Sequence, residues 1–202
     1  MTQYPRLLGL LLAVVVGCSV LSACGGPYVF RGREVYPPFP APDIALTDHH
    51  GQPYRLRDQQ GRVIVVVFGF TSCPDVCPTT LADLAEVRRR LGDDAADVQV
   101  LLITVDPDRD TQAVLASYVG LCDPSFIGLR GDSAATAQVL RDYGVAVAKT
   151  ELPGSALGYT MDHPTRIYGI DRSGNWRVMF STGDPLDDLV RDLRYLVQER
   201  AE

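Results

Sequence analysis

The chain has 202 residues, a formal net charge of −6, and 46% hydrophobic against 22% charged residues. That composition fits one substantial globular domain and excludes a largely disordered chain. The acidic balance, with no Lys/Arg cluster beyond Arg88 to Arg90 on a predicted helix face, argues against nucleic acid as a partner.

Arg6 precedes an apolar run, "LLGLLLAVVVGCSVLSA", that ends at Cys24. A basic n-region, an apolar h-region and a small-residue cleavage zone predict a signal peptide over residues 1–23. "LSAC" followed by Gly25 is similar to the lipobox of bacterial lipoproteins. That similarity implies Cys24 as the lipidated first residue of the mature chain. The alternative is an uncleaved anchor, because the run is only slightly short of the ~20 residues a span needs. Either way the globular part is expected outside the cytoplasm, held to a membrane. Residues 24–42 carry five prolines and no periodicity, which predicts a tether. With Cys18 lost and Cys24 lipidated, Cys73, Cys77 and Cys122 remain in an oxidising compartment, one pair and one leftover.

The rest alternates. "DIALTDHHGQPYRL" predicts a β-hairpin around a polar turn holding His49 and His50. "RVIVVVFGF" (62–70) is an unbroken β-branched run, the mark of a strand covered on both faces. A helix is expected from Pro78 to Leu91, closed by Gly92, then a strand over 98–105 and a helix capped by Asp110 or Thr111. The strand "SFIGLRG", the helix "SAATAQVLRDYG", the β stretch "VAVAKTEL" and the strands "TRIYGID" and "WRVMFST" follow. The last helix is expected to start with Asp184 as N-cap and Pro185 at N1, burying Leu186, Leu189, Val190, Leu193 and Leu196. Parallel strands with crossover helices, then a hairpin and a terminal helix, resemble the thioredoxin-like order. The expected fold is therefore α/β, a central mixed sheet flanked by helices with an N-terminal β-hairpin extension, over residues 43–202.

"GFTSCPDVCPTT" (69–80) places Cys73 and Cys77 at the end of the first buried strand, each followed by proline. A residue before proline is pushed out of the α region, which predicts Cys77 at the helix N-cap and Cys73 in the loop leading to it. Free N–H groups and the helix dipole there favour thiolate over thiol. Three readings are open: a staple, whose short loop gains little closure entropy; a dithiol/disulfide redox pair; and a metal site needing a further ligand. His163 stands before Pro164 at the entry to a late strand. If Pro164 takes the place of the proline that faces the reactive cysteines in thioredoxin-like folds, His163 faces Cys73 and Cys77, and its bond to Pro164 is a candidate cis peptide. Two thiolates and an imidazole suit Cu(I), Cu(II) or Zn(II). Catalytic zinc would require a base that no neighbouring motif supplies, which favours copper.

"GFTSCPDVCPTTL", "TVDPDRDT", "SFIGLRG" and "YTMDHPTRIYGID", in this order across residues 40–200, resemble the Sco/SenC family of copper-binding proteins. The resemblance implies a thioredoxin-like fold that binds copper through Cys73, Cys77 and His163. It also implies a role at the dinuclear copper centre of cytochrome c oxidase, as a metallochaperone delivering copper or as a thiol–disulfide reductase of the acceptor cysteines. Pro164 departs from the serine or threonine more common there. A Cys73–Cys77 disulfide would abolish copper binding, coupling loading to redox state. A peroxiredoxin-like peroxidase fits less well, since Thr71 precedes Cys73 by two residues rather than three. Asp106, at the end of a buried strand on the cysteines' edge, is open between supporting the ligands and docking a partner. Asp110 is read as structural. Cys122 shares a helical face with Leu115 and Val119 and is read as an inert, buried thiol.

Overall fold

The structure, a computed structural model, describes residues 28–199. The predicted signal peptide and Cys24 lie outside them. In chain order the strands are β1 (Arg33–Pro40), β2 (Ala45–Asp48), β3 (Pro53–Arg55), β4 (Val63–Gly69), β5 (Val98–Thr104), β6 (Ile127–Arg130), β7 (Ala148–Glu151), β8 (Tyr159–Asp162), β9 (Arg166–Ile170) and β10 (Asn175–Ser181). The α-helices are α1 (Val76–Leu91), α2 (Gln112–Gly120), α3 (Ser133–Asp142) and α4 (Leu186–Gln198).

Every residue of β4 and β5 is buried, as their unbroken apolar runs require. They pair in parallel at the centre of a sheet ordered β1-β10-β9-β4-β5-β6-β2-β3. β6 continues the parallel set, whereas β9 runs antiparallel to β4 and β10 to β9. β7 and β8 form a separate two-stranded hairpin. Strand alternation divides the core in two. Val63, Val65 and Val67 face Leu81, Leu84 and Val87 of α1 and Leu189, Leu193 and Leu196 of α4. Ile64, Val66 and Phe68 face Val139 of α3 and an aromatic group containing Tyr143 and Tyr168. Burying each of these large apolar side chains stabilises the fold by about 1.5–3 kcal/mol before the entropy cost. The central mixed sheet with helices on both faces is the thioredoxin-like layering expected, and the hairpin β2–β3 extends it.

Two boundaries need correction. The expected tether over residues 24–42 does not hold over its described residues: Arg33–Pro40 is the edge strand β1, antiparallel to β10. Prolines are tolerated there because an outer strand need not donate on its free side. The residues before it are anchored too. Phe30 is buried, Tyr28 stacks on Tyr195 with centroids 3.7 Å apart, and Asp192 accepts hydrogen bonds from Tyr28 Oη (2.7 Å) and the amides of Arg31 and Gly32 (both 2.8 Å). The second correction is that α4 begins one residue later than expected, with Pro185 at the cap and the Asp184 carboxylate accepting from Ser181 N.

The Asp192 carboxylate is fully buried and holds three donors. Asp192→Ala strands those donors, and we expect a loss of about 2–4 kcal/mol in chemical denaturation. Amide exchange at Arg31 and Gly32 should accelerate to the rate of an open segment. Unchanged exchange there would show that β1 is held by its strand pairing alone.

Candidate metal centre

The site lies at the C-terminal ends of β4 and β5, where the crossover helices begin. After Gly69 the chain turns through Phe70 to Asp75 before entering α1. That turn is tied down from beneath. Asp110, fully buried, accepts from Thr71 N (3.1 Å), Thr71 Oγ1 (2.6 Å) and Thr104 Oγ1 (2.5 Å). Its backbone carbonyl accepts from Arg130 Nε at 3.0 Å. Thr111, not Asp110, caps α2. Asp110 is thus structural, as read, and the structure it secures is the cysteine turn.

Cys77 sits two positions deeper in the helix than expected. The helix starts at Val76, so Cys77 is its second residue rather than its N-cap. Pro78 loses nothing at that depth, because the first-turn amides have no acceptor within the helix. The effect on acidity also reverses. Cys77 is only 5% exposed, and burial pushes its thiol up to about 12, against a backbone hydrogen bond at Phe70 that favours thiolate. Loss of hydration outweighs the helix terminus. Cys73 is half-buried and curls over the first turn, its sulfur accepting from Cys77 N at 3.5 Å. Both thiols are free.

His163 arrives from the other side, on the segment between β8 and β9. Its Nε2 is 3.9 Å from Cys77 Sγ. Its Nδ1 is 3.1 Å from the Pro164 carbonyl, which can only accept, so this contact assigns the ring proton to Nδ1. Nε2 is left with its lone pair toward the sulfur. Burial lowers the pKa of the ring, which favours its neutral form. The His163–Pro164 peptide is trans, so the cis candidate does not hold. Trans carries the general preference of about 0.5–1 kcal/mol, and His163 reaches Cys77 without the other isomer.

Among the described residues no group of three or more His, Cys, Asp or Glu side chains is gathered into a ready cage. Cys77 and His163 meet, and Cys73 lies beside Cys77 with its sulfur on the helix end. The 3.9 Å separation suits ligands of one ion. With bonds of ~2.3 Å to sulfur and ~2.0 Å to nitrogen, two such donors stand about 3.5–3.7 Å apart at tetrahedral to trigonal angles.

Asp106, left open by sequence, supports the histidine arm. It is 2% exposed, pairs with Arg109 and accepts from Tyr159 Oη at 2.9 Å. Arg109 donates to the carbonyls of Leu157 (3.1 Å) and Tyr159 (3.0 Å) and lies over the Tyr159 ring at 3.7 Å. Phe70 bridges the arms, with Arg109 5.8 Å from its centroid and the His163 ring set edge-on at 6.0 Å. The short loop 104–111 therefore grips both segments, the one bearing Cys73 and Cys77 through Asp110 and the one bearing His163 through Asp106. His49 is not a free turn residue: its Nδ1 accepts from Gly128 N at 2.9 Å. His50 is exposed. Cys122 is half-buried against the opposite core, where burial raises its thiol.

Gly69 was not singled out by sequence. A Cβ there would stand 3.1 Å from Cys77 Sγ and 3.1 Å from Leu102 Cδ1. We expect Gly69→Ala to fold but to displace the sulfur, weakening metal affinity about tenfold or more. A competition titration with unchanged affinity would show that Cys77 can give way freely.

A family model, SCO1/SenC, matches residues 39–198. The SCO2-like protein of Rickettsia felis is 34% identical over 134 residues, 66% of this chain, and the chain spans 65% of that relative's length. Bradyrhizobium japonicum ScoI, solved with copper bound, is 36% identical with a TM-score of 0.71, covering 78% of this chain and 99% of its own. The apo Sco1 protein of Thermus thermophilus is 34% identical with a TM-score of 0.74, covering 85% and 99%.

Proposed function

The chain belongs to the SCO1/SenC family, and from that premise we propose that it is a copper carrier for cytochrome c oxidase assembly. Cys73, Cys77 and His163 hold one copper ion as cargo and pass it to the oxidase copper-centre subunit. The observation that carries this reading is His163 Nε2 standing 3.9 Å from Cys77 Sγ while its Nδ1 meets the Pro164 carbonyl. A plain redox pair has no need of that nitrogen.

Loading displaces the two thiol protons, and the sulfurs bind as thiolates beside the neutral imidazole. Cys73, the more exposed sulfur, is the natural point of exchange, while Cys77 and His163 retain the cargo from the buried side. An incoming thiolate of the acceptor replaces Cys73 first, so the ion is never free. Residues 1–23 serve as an export signal, and lipid on Cys24 keeps the domain at the outer face of the membrane.

The second reading is a thiol–disulfide reductase. Cys73 and Cys77 would give two electrons and two protons to an acceptor disulfide, leaving a Cys73–Cys77 disulfide and two acceptor thiols. Its support is the Cys73 sulfur resting on the Cys77 amide at 3.5 Å, which keeps the two residues adjacent. The copper-loaded chain, mixed with the reduced acceptor domain, separates the two. Copper should appear on the acceptor in step with its loss from the chain. Rapid reduction of the oxidised acceptor by the apo chain, without copper transfer to the reduced one, would favour the reductase.

A further inference from the structure

Most arginines of the described residues are committed. Arg55, Arg57, Arg88, Arg89, Arg90, Arg109, Arg172, Arg177 and Arg194 pair with carboxylates. Arg62, Arg130 and Arg141 donate to carbonyl or amide oxygens, and Arg191 lies over the Tyr28 ring. Arg31, Arg33 and Arg166 have neither kind of acceptor among the described residues, all three are exposed, and all three line one groove. The groove also holds two carboxylates. Asp184 is engaged by Ser181 N, and Asp188 makes no ion pair with a described residue. Three guanidinium groups against two carboxylates give the groove lining an excess of one positive charge, on a chain whose net charge is −6.

Its position gives this surface meaning. Arg33 is opposite Met179 and Arg166 opposite Ser181, so the groove lies at the same end of the sheet as Gly69 and the metal centre. Arg166 belongs to two places at once. It lines the groove, and with Thr165 it lines the cleft containing Cys77 and His163. An extended segment lying in the groove would reach the ligand-bearing cleft past Arg166. Guanidinium groups with no carboxylate partner among the described residues suit carboxylates, which they bind through paired hydrogen bonds.

We infer that the Arg31–Arg33–Arg166 groove docks an acidic segment of the protein copper acceptor and aligns that acceptor with Cys73, Cys77 and His163. This rests on the carrier reading and adds the chemistry of the partner's contact. A positive rim beside the site would speed encounter and fix orientation, and would be screened by salt.

The test compares wild type with R31E/R33E, which changes groove residues that do not line the cleft of Cys77 and His163. Association with the purified copper-centre domain of oxidase subunit II is followed from low to high salt, and copper content is measured separately. Association of the variant should slow about tenfold or more at low salt. The wild-type rate should fall toward the variant's as salt rises, while copper content stays equal. R31Q/R33Q, which introduces no repulsion, should fall between the two and guards against misfolding of the double reversal. Equal association rates, or no association by wild type, would overturn the inference. So would loss of binding to phosphatidylglycerol vesicles with acceptor association unchanged, which would make the groove a headgroup site. If the chain takes up no copper yet associates in an arginine-dependent way, the carrier reading falls and the docking surface stands.

Discussion

Replacing His163 with alanine should lower the copper affinity of the reduced chain by about a hundredfold or more, since changes outside the ligand shell alone cost roughly 10–100-fold. The ring is not a peripheral contact. Its Nδ1 contact with the Pro164 carbonyl fixes the free lone pair on Nε2, 3.9 Å from Cys77 Sγ. Alanine removes that donor and leaves the two sulfurs with their backbone untouched. Oxidation of Cys73 and Cys77 to a disulfide should therefore proceed at the wild-type rate. A chelator competition titration gives the affinity, and thiol counting over time gives the oxidation. An affinity within tenfold of wild type would remove His163 from the ligand set. A parallel loss of disulfide formation would mean that the substitution had disturbed the cysteine turn itself.

Asp110→Ala should destabilise the fold by about 3–5 kcal/mol, the range seen when one partner of a buried charged network is removed. Asp110 is fully buried, and its carboxylate satisfies Thr71 N, Thr71 Oγ1 and Thr104 Oγ1. Alanine leaves all three donors without partners, each costing about 1–3 kcal/mol, partly recovered if water enters. For a domain of this size the thermal midpoint should fall by about 6–20 °C. Asp110→Asn should lose less, since its amide oxygen can still accept one or two of the donors. Because Thr71 leads into Cys73, the copper affinity of folded Asp110→Ala should fall as well. A midpoint within 2–4 °C of wild type, about 1 kcal/mol, would mean that the turn holds itself without the clamp.

Much of the fold was legible because its signals are local. The β-branched runs at 63–69 and 98–104 could be satisfied only by full cover, and the stripe of Leu189, Val190, Leu193 and Leu196 fixed the inner face of α4. Cys73, Cys77 and His163 stood out as candidates by residue type and by their places at strand ends, and the structure brings Cys77 within 3.9 Å of His163. Their mutual distances were not, because those depend on the sheet that brings His163 back across from a distant part of the chain.

Several misses were decided by long-range contacts against a local rule. Five prolines made residues 24–42 read as a tether, yet pairing with β10 and the burial of Phe30 secure much of that segment. A signal was present in α4, where Asp192 interrupts an apolar stripe; a carboxylate there must find donors, and it finds Tyr28, Arg31 and Gly32. The rule for residues before proline placed Cys77 at the cap, whereas the helix begins at Val76 and buries the thiol. Asp106 and Asp110 look alike in "VDPDRDT"; only their partners, Tyr159 with Arg109 and Thr71 with Thr104, separate their tasks.

Copper binding by the same chain in its two redox states tests the central claim most directly. The reduced chain should take up one copper ion per molecule and show a sulfur-to-copper charge-transfer band as Cu(II). After oxidation of Cys73 and Cys77 to a disulfide it should take up none, and reduction should restore the full amount. Equal copper uptake by the oxidised and reduced forms, or none by either, would contradict the account.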